Sequence, residues 1–153
     1  MSITTTTHLN FRGDARRALE FYQSVFGGVL SIATYGDVGM PKDTPGADKV
    51  VFGQLESEDG FRVMGYDIPG ASTGPTPNGS TRRENGVTLT DQPFFVSVRS
   101  TALEEAKGYW ARLSVGASVI EPLAASAWSP GFGMLTDGFG VTWILDVAAE
   151  HAG

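Results

Sequence analysis

The sequence predicts an α+β fold made of two tandem β-α-β-β-β modules. Three observations carry this expectation. Apolar spacing alternates between strand and helix periods in the same order twice along the chain. Residues 52–67, "FGQLESEDGFRVMGYD", and 132–146, "FGMLTDGFGVTWILD", write one hairpin pattern twice: Phe-Gly-x-Leu, an acidic turn, Gly-Phe-x-Val and a closing Asp. Between the two series, residues 68–91 are crowded with Pro, Gly, Ser and Thr, as linkers are.

The elements follow in order. "ITTTTHLNF" (3–11) reads as a strand, and "RGD" as a turn. Asp14 is placed to cap a helix whose apolar positions are Ala15, Ala18, Leu19, Tyr22, Val25 and Phe26. Gly27-Gly28 ends that helix, because glycine tolerates the left-handed conformation at C′. "VLSIATY" is a strand, "GDVGMPKDTPGAD" a loop, and "KVVFGQLE" with "FRVMGYD" a hairpin turning at "SEDG". After the linker, where "VTLTD" leads toward the next strand, comes "PFFVSV". Thr101 and Glu104 have capping-box spacing, and helical spacing continues through Leu103, Ala106, Trp110 and Leu113, with Gly116 just beyond the end. "ASVIEPL" is a strand, and "SAWSPGFGMLTD" with "GVTWILDV" forms the last hairpin. Module one thus spans about 3–67, the linker 68–91 and module two about 92–148, within one domain over 1–153. A half of about 70 residues buries too little to be stable alone, so two halves side by side would share a curved sheet around a cleft.

Composition limits the function. Hydrophobic residues make up 41% of the 153, with nine Phe, four Tyr and three Trp, which is enough for a core. Burying one such side chain is worth roughly 1.5–3 kcal/mol. The net charge of −6 argues against nucleic acid or an anionic membrane as partner, since phosphates need a basic face. No cysteine means no disulfide, no thiolate metal site and no cysteine nucleophile, which fits the cytoplasm. "MSITTTTHLNF" has neither the basic nor the apolar region of a signal peptide, and no apolar run approaches the roughly 20 residues of a membrane span. The expectation is a soluble cytoplasmic protein.

"HLNFRGDARRALEFYQSVFGG", "ADKVVFGQLE" with "GFRVMGYD", and "FGMLTDGFGVTWILD" in this order resemble the PhnB-like branch of the vicinal oxygen chelate superfamily, the glyoxalase, bleomycin-resistance and extradiol dioxygenase fold. The resemblance covers almost the whole chain. It implies paired modules forming a U-shaped, mostly antiparallel sheet around a cleft, and a homodimer, which would cover open sheet edges. In metal-using members, His and Glu on the first and fourth strands of each module hold a divalent ion that chelates vicinal substrate oxygens. Carried over one by one, these positions fall at or beside His8, within Met64–Tyr66, around Gln92–Phe94, and at Ile144. At most one of them carries a metal-ligating side chain. An alternative set is His8, Gln92 and Asp146, the last sharing a strand face with Ile144. The other histidine, His151, stands near the chain end, where side chains are usually solvated.

No other motif carries chemistry. "GDVGMP" and "GFGMLTDGFG" lack nucleotide-loop spacing and do not join a parallel strand to its helix, which also leaves a methyltransferase reading without support. The serine of "GASTGP" has no partner histidine in a recognisable arrangement. Arg82 and Arg83 read as solvated linker residues, with a clamp for an anionic ligand as the sharper alternative. Asp59 and Asp137 read as turn residues, and the recurrence of Asp67 and Asp146 at strand ends suggests one shared architectural role. The candidate ligand-binding residues are His8, Met64, Tyr66, Phe94, Trp128, Phe132, Trp143 and Ile144, some of which must pack in the core instead. They describe a small-molecule binding protein with an apolar, aromatic cleft and no cofactor. The alternative is a divalent-metal lyase, isomerase or dioxygenase using His8 and an unconventional carboxylate. Catalytic residues are not identifiable, and whether a reaction occurs stays open.

Overall fold

The computed structural model describes residues 3–71, 73–74 and 80–149. Ser72, His151 and part of the 68–91 linker therefore lie outside the described residues. The chain forms two compact units, Met1–Thr76 and Pro77–Gly153.

The first unit contains β1 (Thr7–Phe11), α1 (Ala15–Phe26), β2 (Val29–Thr34), β3 (Val50–Glu56) and β4 (Arg62–Asp67). Its sheet has the order β1-β4-β3-β2, with β1 parallel to β4 and the other pairs antiparallel. The second unit begins with a hairpin, β5 (Thr81–Glu84) and β6 (Val87–Thr90). It continues with β7 (Val96–Ser100), α2 (Leu103–Leu113), β8 (Ser118–Ala124), β9 (Phe132–Thr136) and β10 (Thr142–Val147). The sheet order is β7-β10-β9-β8, again with only the first pair parallel. This is the expected α+β pair of β-α-β-β-β modules. No described helix is long and apolar enough to cross a membrane.

Four local details differ from the sequence expectation. β1 starts at Thr7 rather than at residue 3, because Thr7 pairs with Val63 at the start of β4 and earlier residues have no ladder to join. Asp14 makes no capping bond. Its place is taken from the end of the neighbouring strand β4 by Asp67, whose Oδ1 accepts the N–H groups of Gly13 (2.8 Å) and Ala15 (3.0 Å). The Thr101–Glu104 capping box does not form either: Ala102 is the N-cap, its N–H is taken by the Ser100 hydroxyl, and that hydroxyl meets Glu105. Finally, Arg82 and Arg83 stand on β5, not in a loop. The signal was present as Asn85-Gly86, both at positive φ, the pair that a tight hairpin turn selects.

The repeated Phe-Gly-x-Leu has a packing cause. Each helix lays its apolar stripe on one sheet face, and at the glycine a side chain of the helix presses against the strand. A Cβ at Gly53 would collide with Leu19 of α1, and one at Gly133 would lie 2.7 Å from the Trp110 ring of α2. All six apolar positions predicted for α1 are buried, as are Ala106 and Leu113 of α2. The two third-to-fourth-strand hairpins match with an offset of 80 residues: Leu55 pairs with Val63 as Leu135 pairs with Trp143, and the turns repeat as Ser57 N–H to Phe61 C=O and Asp137 N–H to Val141 C=O. The sequence echo, which set Gly60-Phe61 against Gly138-Phe139, slips by two residues in the turn.

Candidate functional site

That offset decides which side chains are equivalent. Parallel pairing sets His8 beside Met64 in the first unit and Ser97 beside Ile144 in the second. The counterpart of His8 is therefore Ser97 on β7. Gln92 and Phe94, to which the resemblance assigned this position, precede the strand. Likewise Tyr66 corresponds to Asp146, and Asp67 to Val147.

The faces follow by alternation. Leu9, Phe11, Val63 and Asp67 face α1, while His8, Asn10, Met64 and Tyr66 line the opposite face. There His8 and Tyr66 meet edge to face at 5.4 Å, and His8 Nδ1 lies 3.0 Å from Asn10 Oδ1. In the second unit Trp143, Leu145 and Val147 face α2, and Ser97, Arg99, Ile144 and Asp146 line the other side. Trp143 is thus a core residue, 1% exposed, with its indole N–H donated to Asp137 at 2.9 Å. It does not share a face with Ile144.

The two closing aspartates are not equivalent. Asp67 is a strut, buried and accepting three backbone N–H groups: two beside α1 and that of Val50 at 2.9 Å. Asp146 points to the opposite face and takes a two-pronged contact from Arg99, both bonds 3.1 Å, which raises the guanidinium pKa further. Asp137 is a turn residue as expected: its Oδ1 accepts the N–H groups of Phe139 and Val141.

The β5–β6 hairpin brings a further group to this face of the second sheet. Arg83 holds its guanidinium 4.9 Å from the Phe132 ring centroid and donates to Thr88. Thr88 in turn meets the Met134 sulfur, and the Arg83 Nε is buried without a hydrogen-bond partner among the described residues. Trp128 packs edge-on to Phe132 at 5.4 Å while staying 53% exposed. The structure therefore gathers Trp128, Phe132 and Arg83, with Ile144 on the same face as Phe132 and Met134. His8, Met64 and Tyr66 gather in the first unit, and Phe94 is exposed outside the strands.

A divalent ion of the family's metal-using kind does not fit these donors. His8, Met64, Ser97 and Ile144 offer an imidazole, a thioether, a hydroxyl and an alkyl group, where such a site needs imidazoles and carboxylates. In the alternative set, both Asp146 oxygens are engaged by Arg99. Among the described residues there is no group of three or more His, Cys, Asp or Glu arranged to hold a metal.

Comparison with known proteins agrees with this architecture. Protein YjdN of Escherichia coli (strain K12) is 25% identical over 151 residues, covering 94% of this chain and 95% of that protein. Among solved structures, protein PA1353 from Pseudomonas aeruginosa is 26% identical with a TM-score of 0.74, covering 97% of this chain and all of that one (100%). A PhnB protein from Bacillus cereus, 24% identical with a TM-score of 0.67, covers 95% and 100% and shares the fold. The profile of the Glyoxalase/Bleomycin resistance protein/Dioxygenase superfamily matches residues 6–145, so the chain belongs to that superfamily.

Proposed function

We propose that this protein is a small-molecule binding member of its superfamily that works without a bound metal. The observation that carries the reading is the strand register. It sets Ser97 at the position equivalent to His8 and Ile144 at the position equivalent to Met64, so three of the four positions that hold metal in other members carry no imidazole or carboxylate. Trp128 and Phe132 offer ring faces and edges to a flat, mostly apolar ligand. Arg83, stacked on Phe132, supports the sequence alternative in which this arginine meets a ligand's anionic group. A cytoplasmic setting and a homodimer belong to the same reading. The dimer is supported by the edge positions of β2 and β8, where Val29 and Val119 are exposed.

Two measurements test it. Metal analysis of protein purified without chelator is expected to find less than stoichiometric divalent metal; one ion per chain, lost in His8→Ala, would overturn the proposal. Tryptophan fluorescence titration with planar aromatic compounds is expected to find a ligand whose affinity drops about tenfold or more in Trp128→Ala, as loss of a central aromatic contact does. An unchanged affinity would remove Trp128 from the site.

A further inference from the structure

The first unit holds a cavity of about 270 Å³ that does not lie on the sheet face described above. It is formed where three segments meet: the β1–α1 turn, the loop 35–49, and the chain leaving β4. The loop is specific to this module. In the second unit only residues 125–131 join the corresponding strands.

The walls are tied down. Tyr35 and Lys49 close the neck of the loop through an N–H to C=O bond of 3.0 Å, with Gly36 to Ala47 (2.8 Å) beside it. The Tyr35 hydroxyl donates to the Asp67 carbonyl at 2.8 Å. The Asp67 carboxylate holds Gly13, Ala15 and Val50, so all three segments converge on one residue. Such bracing favours a pre-formed site, because little ordering is left to oppose binding.

The polar groups differ in what they can still offer. Both Asp67 oxygens and the Tyr35 hydroxyl hydrogen are committed. Lys49 is not. Its half-buried ammonium makes one long bond among the described residues, 3.4 Å to the Gly13 carbonyl, and has no carboxylate within ion-pair reach. A lysine has three N–H donors, so two are open to a ligand. Around it the lining includes Met40, Ile68 and Pro69, which are apolar.

We infer that this cavity is a second ligand site, which takes a small carboxylic acid with a compact apolar or aromatic body, its carboxylate on Lys49. Counting each non-hydrogen atom as one water's share of liquid volume, about 30 Å³, the cavity suits about nine such atoms. One ammonium in an apolar setting matches a single negative charge. A phosphate dianion would want more donors than Lys49 supplies.

Benzoate, benzamide and inorganic phosphate are the probes, read by amide NMR shifts on the full chain. Benzoate is expected to move the Gly13, Gly46, Lys49 and Gly70 amides saturably. Neutral benzamide, of the same shape, is expected to bind at least tenfold more weakly, and phosphate more weakly than benzoate. Lys49→Met should reduce benzoate to the benzamide level, while Lys49→Arg stays within a few-fold of the unmodified protein. Met40→Trp, which fills the cavity and keeps the lysine, should also abolish benzoate binding and keeps the test open if Lys49→Met does not fold. Equal binding of benzamide, tighter binding of phosphate, shifts absent or confined to other residues, or binding that survives either Lys49→Met or Met40→Trp would each overturn the inference.

Discussion

Asp67 and Asp146 show how far one residue's role depends on the face it occupies. Asp67, 3% exposed, accepts three backbone N–H groups, while Asp146 meets a guanidinium whose side chain is 68% exposed. Removing Asp67 orphans buried donors, and removing Asp146 returns Arg99 to water. Asp67→Ala is therefore expected to lower unfolding free energy by about 2–4 kcal/mol, and Asp146→Ala by about 1 kcal/mol or less. Urea unfolding followed by circular dichroism measures both. All three tryptophans lie in the second unit, so fluorescence would not report the first directly. Equal losses would mean that the two carboxylates do share a role. A shared role is what the sequence suggested, from two hairpins that both end on Asp.

Among the elements, the two helices depend on glycine in the strand beneath them. Gly133→Ala sets a methyl group against the Trp110 ring, and Gly53→Ala against Leu19. Each is expected to cost about 1–3 kcal/mol as an overpacked core does, read as a fall in thermal midpoint. A neutral effect would show that the helices can lift without loss. The loop 35–49 carries a different signature. Asp37 has its carboxyl pKa lowered chiefly by the Thr34 backbone N–H, then by the Thr34 hydroxyl, with Lys42 and Arg16 adding attraction. A depressed folded-state pKa contributes stability that is present above the unfolded value and lost as pH falls through the folded one. Asp37→Asn keeps an acceptor and drops the charge. Its deficit in thermal midpoint is expected at neutral pH and should disappear as pH falls through and below the ordinary carboxylate range. A deficit independent of pH would rule out the charge as its cause.

For the whole molecule, the charge of −6 sets what it can approach. With no excess of cations to release counterions, it is expected not to bind duplex DNA measurably at physiological salt, which fluorescence anisotropy with a labelled duplex checks. Salt-sensitive binding in the micromolar range would contradict this. The sequence by itself determined the element order, the module repeat and the buried positions of α1, since these rest on local spacing of apolar residues and on glycine at turns. It also carried the β5–β6 hairpin in Asn85-Gly86, although the surrounding Pro, Gly and Ser composition masked it. Only the tertiary structure decided register. A shift of one residue moves a strand side chain to the other face, and the echo's pairing of Asp67 with Asp146 is off by that one residue, since the register matches Asp67 to Val147. Register made Ser97 rather than Gln92 the counterpart of His8, buried Trp143 and left Trp128 open beside Phe132. The cavity at Lys49 was equally out of reach of the sequence, because its walls come from three segments that only a buried carboxylate brings together.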